Sequence, residues 1–306
     1  MIKTRCAICD TFGNATLLYQ ARFPQGGVDS SVYAPRRKRD GVHYQMVKCK
    51  TCGLVRSDPI MGKTQLAKLY LKSVCDYTDK DENKPLRRTY GYYLSQWIKN
   101  YKVKKGSLLD IGCANGFFLE EALAQGFKKV SGVEPSRSAI QKAHPNVKSS
   151  ILEGMFDEKT FPPEQFDAVT FFQTLDHVPD PNIFLQNCFK VLKKGGFIFA
   201  INHNIQSFPA RLLKERCPII DIGHAYLYDL HTMRLIFQKN GFSVLDVFRA
   251  KNTVSLNYFL QLLPLPFFFK SFLQTCSRWL NLDALTFPIY LGNLGIIARK
   301  PSSYEE

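Results

Sequence analysis

The segment LLDIGCANG at residues 108–116 combines an apolar strand pattern with a glycine turn, and it carries a carboxylate ahead of the first glycine. Such a strand, turn and helix allow a backbone to approach a nucleotide closely. A nicotinamide site needs three glycines and a helix N-terminus open to pyrophosphate, but Ala114 stands between Gly112 and Gly116. Asp110 instead favours a ligand with a positive amino group and no phosphate. S-adenosylmethionine, with an ammonium, a sulfonium and an adenosine, is such a ligand.

A second carboxylate strengthens this interpretation. Glu134 ends the next predicted strand, where its two oxygens can accept hydrogen bonds from both hydroxyls of a ribose. The alternative is that Gly112 and Gly116 only make a tight turn and that Glu134 is a solvated strand end. The combination of Asp110 with Glu134 favours cofactor binding.

Four segments carry a family resemblance: LLDIGCANG, GVEPS at 132–136, FDAVTFFQTLDHVPDP at 166–181 and VLKKGGFIFAINHN at 191–204. Over about residues 104–300 the chain resembles the class I S-adenosylmethionine-dependent methyltransferases. The resemblance implies an α/β fold with a Rossmann-like, seven-stranded sheet. Carried over by position, it places these residues at the cofactor: Asp110, Gly112, Ala114 and Gly116 at the methionine end, Glu134 at the ribose, Met155 and Phe156 beside the adenine, and Gln173 beneath.

Two C-x-x-C pairs, Cys6 with Cys9 and Cys49 with Cys52, lie near the start of the chain. Four thiolates satisfy a tetrahedral Zn²⁺ and leave no position for water, so the expected role of the metal is structural. In CKTCGLV, Gly53 follows the second cysteine, which is typical of a zinc knuckle. The alternatives are a redox pair, which would open a helix after a strand, and free thiols.

A zinc ribbon ahead of this core is similar to methyltransferases encoded beside sugar and polysaccharide biosynthesis genes. Some of those enzymes methylate carbon on nucleotide-linked deoxysugars, and a histidine after the fifth strand, with a preceding glutamate and nearby tyrosines, serves as their base. The corresponding segment here is DIGHAYLYD, with His224, Tyr226 and Tyr228, and with Gly223 at the glutamate position.

Three histidines are candidates for a catalytic base. Methyl transfer is an in-line displacement, so the protein supplies proximity, orientation and, where the acceptor loses a proton, a base. His177 and His203 follow the fourth and fifth predicted strands at their carboxyl ends, where open sheets bind ligands, and His224 lies in the next segment. The alternative is that each is a hydrogen-bonded loop histidine without a catalytic role.

Short apolar runs alternate with amphipathic helices after residue 104, which predicts a parallel sheet covered on both faces. The predicted strands are 107–111, 130–134, 166–173, 196–201, 243–248 and 294–298. The predicted helices are 64–70, 86–101, 117–125, 181–192 and 230–239. Asp180 is the expected N-cap of the helix at 181–192. C-terminal glycines are expected at Gly126, Gly195 and Gly241.

The pattern predicts a zinc ribbon over residues 1–62, a helical lead-in over 63–103 and a methyltransferase domain over 104–306. Within the last, substrate-side insertions are expected at 204–228 and 251–290. The second insertion is rich in phenylalanine, leucine and proline. It is either a helical cap on the sheet or a contact with lipid or a hydrophobic acceptor.

The chain has 41 Lys and Arg against 26 Asp and Glu, a net charge of +15, so nucleic acid, an anionic membrane face and phosphorylated substrates all stay open as partners. The basic run at 36–39 fits a solvated hairpin tip or a contact with phosphate or nucleic acid. The apolar run near 262–269 is too short to span a bilayer. The first residues lack the apolar run of a signal peptide, so we expect a cytoplasmic protein, with peripheral membrane contact left open.

The expected function is methyl transfer from S-adenosylmethionine to a small-molecule, sugar, glycan or lipid-linked acceptor. The first rival is an rRNA or tRNA methyltransferase with a zinc-containing RNA-recognition domain, because the net charge suits RNA. No N-P-P-Y or Pro-Cys signature follows the fourth strand, which excludes amino-directed and cytosine C5 chemistry. The second rival is a non-catalytic binding protein, against which the intact glycine turn argues.

Overall fold

The computed structural model describes residues 1–23, 41–72, 84–262, 266–280, 282 and 285–302. The basic run at 36–39 lies outside the described residues, as do the side chains of Tyr258 and Phe267. The strands are β1 (Ala15–Tyr19), β2 (Met46–Cys49), β3 (Val55–Ser57), β4 (Ser107–Ile111), β5 (Lys129–Glu134), β6 (Ile151–Glu153), β7 (Phe166–Phe172), β8 (Leu192–His203), β9 (Tyr226–Leu227), β10 (Ser243–Ser255) and β11 (Thr286–Arg299). The α-helices are α1 (Lys63–Lys72), α2 (Lys84–Tyr101), α3 (Phe117–Ala124), α4 (Arg137–Gln141), α5 (Pro145–Lys148), α6 (Pro181–Val191), α7 (Phe208–Leu213), α8 (Leu230–Lys239), α9 (Leu256–Leu262) and α10 (Phe267–Trp279).

Seven strands form the central sheet, in the order β10-β11-β8-β7-β4-β5-β6. The strands from β8 to β6 pair in parallel, whereas β11 is antiparallel to both β8 and β10. The loops that leave the parallel strands therefore emerge at one edge of the sheet, the carboxyl edge, where ligands bind in open α/β folds. The predicted Rossmann-like α/β fold is confirmed.

Every strand predicted after residue 104 is present, and β4 has its predicted ends. Strands β8, β10 and β11 are longer than predicted, because their outer residues lack a clear apolar alternation. Strand β6 was missed, since three residues carry no readable period.

Several predicted helix ends have identifiable caps, but Gly195 lies inside β8 and does not end a helix, because α6 already ends at Val191. The Asp180 carboxylate accepts the backbone N–H of Ile183, and Pro181 occupies the first turn of α6. Asp229 forms a capping box at the start of α8. After α8, Gly241 has φ +83°, a conformation that favours glycine at a helix C-terminus.

A second sheet has four strands in the order β1-β2-β3-β9. The first three come from the N-terminal region, but β9 lies between β8 and α8 in the chain. It pairs with β3 through Val55 opposite Leu227 and Arg56 opposite Tyr226. The sequence did not predict this pairing because a two-residue strand has no periodicity. The N-terminal region and the segment after β8 therefore share one sheet.

Buried side chains also join the two sheets. One apolar cluster contains Cys6, which precedes the small sheet, and Cys49 of β2 together with Val169 of β7 and Met233 of α8. A second cluster covers the opposite face of the central sheet, and there α2 packs with its fully buried Trp97. The small sheet thus packs as an extension of the main core.

Strands β10 and β11 form a long hairpin whose pairing runs from Ser243 opposite Arg299 to Ser255 opposite Thr286. The predicted insertion at 251–290 is narrower in the structure, because its first and last residues continue the two strands. Helices α9 and α10 occupy the tip of the hairpin. No helix in the described part of the chain is long and apolar enough to cross a bilayer.

Candidate active site

The turn after β4 has a backbone conformation that favours glycine. Gly112 and Gly116 have φ of +76° and +73°, and Ala114 has φ of +49°, all in the left-handed region that favours glycine. A Cβ on Gly112 would lie 2.6 Å from Oγ1 of Thr174, closer than a real contact. The turn therefore excludes a side chain at residue 112.

Asp110 lies buried near the end of β4, where Oγ1 of Thr170 donates to it at 2.8 Å. Burial raises the pKa of its carboxyl to about 8, Glu134 acts in the same direction, and the Thr170 bond opposes the shift. Among the described residues no cation pairs with Asp110. A positive ligand group would restore the ionised carboxylate, so the position fits the ammonium of S-adenosylmethionine.

Glu134 ends β5 with both carboxylate oxygens engaged by the backbone. Oε2 accepts the N–H of Ala114 at 2.9 Å, and Oε1 accepts the N–H of Ser136 at 2.8 Å. Burial raises the pKa of Glu134, and these two bonds oppose the shift. Each oxygen keeps a further lone pair, so the carboxylate can still accept ribose hydroxyls.

The remaining predicted cofactor residues follow β6 and β7. Gln173 has φ +51°, and its buried Oε1 has no hydrogen-bond partner in the described structure. An orphaned buried acceptor is costly unless a ligand satisfies it. Met155 is exposed, and Phe156 packs edge-on against Phe184 with ring centroids 5.8 Å apart. These two residues follow β6 and so lie at the carboxyl edge of the sheet, next to the strand that ends at Glu134.

The three candidate histidines come together at the carboxyl edge around Asp176, a residue for which the sequence predicts no role. Nδ1 of His203 lies 2.6 Å from Oδ2 of Asp176, and Nδ2 of Asn202 donates to Oδ1 at 3.0 Å. Burial alone would raise the pKa of Asp176, but its pairing with His203 and the nearby histidines hold that pKa well below its ordinary value. The ionised carboxylate only accepts, so Nδ1 of His203 carries the proton and Nε2 is the basic nitrogen.

The other two histidines flank this pair. The ring of His224 lies 4.6 Å from that of His177 and 4.8 Å from that of His203, between centroids. Nδ1 of His177 donates to the Gly223 carbonyl at 3.0 Å, and Nδ1 of His224 donates to the Ile219 carbonyl at 2.7 Å. Burial and the neighbouring histidines lower the pKa of His224 to about 4, so this ring is neutral near pH 7. His203 is more accessible than the buried His224, since 24% of the His203 side chain is exposed.

Donor atoms of Asp176, His177 and His224 lie within 4.8 Å of one another, a spacing that could also suit a cation. However, both oxygens of Asp176 already pair with protein groups. The cluster is therefore best described as a carboxylate-oriented set of imidazoles. One signal in the sequence could have identified Asp176, because it directly precedes His177 at the carboxyl end of a strand.

The four cysteines of the C-x-x-C pairs form a second cluster. Their sulfurs lie within 4.8 Å of one another, and Sγ of Cys6 is 3.4 Å from Sγ of Cys52. All four are free thiols. Sulfurs about 2.3 Å from a tetrahedral zinc would be about 3.8 Å apart, so the arrangement fits such an ion. Gly53 has φ +80°, as the tight turn at the second pair requires.

Ser57 links the small sheet to the histidine cluster. Its Oγ donates to the backbone carbonyl of His224 at 2.9 Å, and its N–H donates to the Ala225 carbonyl at 2.9 Å. On the other side, the N–H of Ala225 donates to the Asp176 carbonyl at 2.8 Å. The segment that carries His224 is thus held between the small sheet and the loop after β7.

The glycine turn, the edge carboxylates and the single antiparallel strand of the seven-stranded sheet together define the class of Rossmann-like methyltransferases. The profile of the family described as "Methyltransferase domain" matches residues 86–247, more than half of the chain. The chain belongs to this family.

Curated relatives of the chain include two that carry the same name. The ubiquinone biosynthesis O-methyltransferase of Stutzerimonas stutzeri is 34% identical over 121 residues, which cover 37% of this chain and 52% of the relative. The protein of that name from Coxiella burnetii is 30% identical over 159 residues, which cover 50% of this chain and 68% of the relative. The chain thus spans about half the length of the first of these relatives.

Solved structures with a similar chain include two S-adenosylmethionine-dependent methyltransferases. The one from Archaeoglobus fulgidus is 23% identical with a TM-score of 0.48, and the match covers 74% of this chain and 100% of that one. The one from Aquifex aeolicus is 14% identical with a TM-score of 0.46, and the match covers 78% and 99%.

Proposed function

We propose that the protein transfers a methyl group from S-adenosylmethionine to a hydroxyl of a small molecule. The observation that carries the proposal is the placement of the Asp176–His203 pair at the carboxyl edge, directly beside the strands that carry the cofactor residues. Phe172 of β7 pairs with Ile201 of β8, so Gln173 and His203 lie at the ends of adjacent strands. Adjacent strands in a sheet are about 4.8 Å apart.

S-adenosylmethionine, when bound, supplies an electrophilic methyl group on a sulfonium. Asp110 would hold its ammonium, and the turn from Gly112 to Gly116 would take the methionine end against the backbone. Glu134 would accept hydrogen bonds from the ribose hydroxyls, and the residues around Met155 would flank the adenine. Gln173 would lie under the cofactor, where its Oε1 could accept a hydrogen bond. Two observations support this fit: among the described residues no cation pairs with the Asp110 carboxylate, and the buried Oε1 of Gln173 has no hydrogen-bond partner.

His203 acts in this proposal as the general base. Nε2 accepts the proton of the acceptor hydroxyl, and the electron pair left on oxygen becomes the nucleophile. Asp176 holds the ring in the required tautomer and stabilises the imidazolium that forms. His177 and His224 line the same space and position the acceptor.

The relatives named as ubiquinone biosynthesis O-methyltransferases favour a hydroxyl on a small molecule. A sugar, glycan or lipid-linked hydroxyl presents the same chemistry to His203. The cysteine cluster, in this proposal, holds one structural Zn²⁺ in a ribbon of residues 1–62, followed by a helical lead-in over 63–103 and the methyltransferase domain over 104–306.

Calorimetric titration with S-adenosylmethionine tests the cofactor site. A hydrogen bond to a charged acceptor contributes about 1.5–3 kcal/mol, so Glu134→Ala weakens binding by about tenfold or more. Glu153→Ala is the matched control, because Glu153 is an exposed carboxylate opposite Glu134 on the neighbouring strand. Thermal unfolding of both variants is measured in parallel, since Glu134 also accepts two backbone N–H groups. Unchanged affinity in a folded Glu134→Ala protein removes the assignment.

Transfer of a tritiated methyl group to a panel of catechol, a nucleotide sugar and total cellular RNA tests the acceptor class. The proposal is supported if the protein labels a hydroxyl compound, if His203→Asn abolishes this labelling, and if His144→Asn retains it. His144 is a suitable control because it caps α5 on another part of the surface, and asparagine preserves such a cap. Labelling of RNA alone would favour the RNA methyltransferase instead.

A further inference from the structure

Helix α10 has an apolar face that points away from the protein. Phe268, Phe272 and Trp279 are spaced by four and seven residues, so they share one stripe of the helix. Their exposed fractions are 67%, 63% and 82%. The neighbouring Phe269 is also exposed. Large exposed aromatic side chains at this density mark a contact surface.

The described residues of α10 that turn inward are of mixed polarity. Ser277 is buried, and Lys270, Leu273, Gln274 and Cys276 are half-buried. A helix that packs on a core normally turns its apolar stripe inward. The aromatic stripe of α10 is instead exposed, so it fits an apolar environment outside the chain.

The charge on α10 identifies that environment. The helix contains Lys270 and Arg278 and no Asp or Glu, and Arg278 is exposed. A helix with an aromatic face, cations at its other positions and no carboxylates has the composition of helices that lie in the interface of anionic bilayers.

The position of α10 relates it to the candidate active site. Asn293 of β11 pairs with His203 at the end of β8. The part of β11 from Thr286 to Gly292 therefore extends beyond the carboxyl edge, and α9 and α10 connect this extension to β10. The aromatic stripe thus belongs to the same side of the molecule as the Asp176–His203 pair.

We propose that α10 docks the protein on an anionic lipid surface, with Phe268, Phe272 and Trp279 entering the headgroup region. The acceptor would then be a hydroxyl compound that resides in or at the membrane. Only this statement about the acceptor rests on the proposed function. The docking itself does not depend on methyl transfer.

The two tryptophans of the chain provide a direct probe. Trp97 is 1% exposed in the core and Trp279 is 82% exposed on α10. Entry of Trp279 into the headgroup region shifts its fluorescence to the blue, while Trp97 contributes a constant background. Vesicles of equal parts phosphatidylglycerol and phosphatidylcholine are compared with vesicles of phosphatidylcholine alone. The blue shift is expected only with the anionic vesicles, weaker at high salt, and absent in Trp279→Phe.

Vesicle co-sedimentation measures the affinity. Replacement of Phe268 and Phe272 by serine is expected to weaken binding by about tenfold or more, because buried aromatic area and charge act together. The matched control replaces Phe12 and Tyr92, two other exposed aromatic residues, by serine and leaves binding unchanged. Calorimetry with S-adenosylmethionine on the same variants shows whether the cofactor site is intact.

Three results would overturn the docking proposal. The first is that anionic vesicles neither shift the tryptophan fluorescence nor sediment the protein. The second is that the Phe12 and Tyr92 control loses as much vesicle binding as the Phe268 and Phe272 variant. The third is that sedimentation velocity shows a dimer that the Phe268 and Phe272 variant abolishes. The last would make the stripe an interface between two copies. If vesicles bind but S-adenosylmethionine does not, the docking stands and the proposed function fails.

Discussion

Replacement of Asp176 by asparagine separates a catalytic pair from a merely structural one. Asp176 is fully buried, and its contact with Nδ1 of His203 is a short, charge-assisted hydrogen bond of 2.6 Å. An amide keeps the volume but removes the charge, and it can present N–H to His203 and reverse the tautomer. Nε2 would then carry a proton and could not accept one from the acceptor.

The expected loss follows from that one hydrogen bond. A bond of this kind contributes about 1.5–3 kcal/mol, so kcat/KM of Asp176→Asn falls by about tenfold to a hundredfold. The affinity for S-adenosylmethionine stays the same, because Asp176 touches no predicted cofactor residue.

The assay is tritiated methyl transfer to the hydroxyl compound found in the acceptor panel, over a range of pH. Asp180→Asn is the control, because Asp180 caps α6 and asparagine caps a helix equally well. An Asp176→Asn protein with unchanged kcat/KM refutes the role of the pair. A loss confined to cofactor affinity would assign Asp176 to cofactor binding instead.

Two further perturbations test the surroundings of the site. Metal analysis of the untagged protein is expected to give one zinc per chain. Removal of the metal with a chelator is expected to slow methyl transfer far more than it weakens S-adenosylmethionine binding. Purified protein without stoichiometric zinc contradicts the assignment of the four cysteines as zinc ligands. The pKa of His224 is about 4 in the folded protein against an ordinary 6.5, so the unfolded chain binds the extra proton first as pH falls. The contribution of His224 to the free energy of unfolding is therefore fully present above about pH 6.5 and is lost as the pH falls towards 4. The total loss is about 3 kcal/mol. Urea unfolding of His224→Gln should show a flatter pH dependence over this window, and an equal slope would contradict the burial argument.

The sequence predicted the parts of the fold that have local signatures. Short apolar runs define β4 and β7, and the cap at Asp180 defines the start of α6, because these features depend on neighbours in the chain. The position of Asp110 two residues before Gly112 was likewise a local observation that favoured a cationic ligand. The family assignment followed from such short segments.

The remaining features depend on contacts between distant residues. The pairing of β9 with β3 joins residues that are far apart in the sequence, and two residues have no period to read. The same is true of Asp176, whose role becomes visible only when His203 is seen beside it. The three histidines looked like alternatives in the sequence, whereas the structure places them in one cluster.

The small sheet has a consequence for how the site is held. The proposed cofactor residues Asp110 and Glu134 sit on interior strands, which the main core supports on both faces. The segment of His224 is fixed from one side by Ser57 of the small sheet and from the other by the backbone of Asp176. Loss of order in the small sheet would release only one of these two supports. The cysteine cluster is therefore expected to govern the acceptor side of the site, while cofactor binding persists without it.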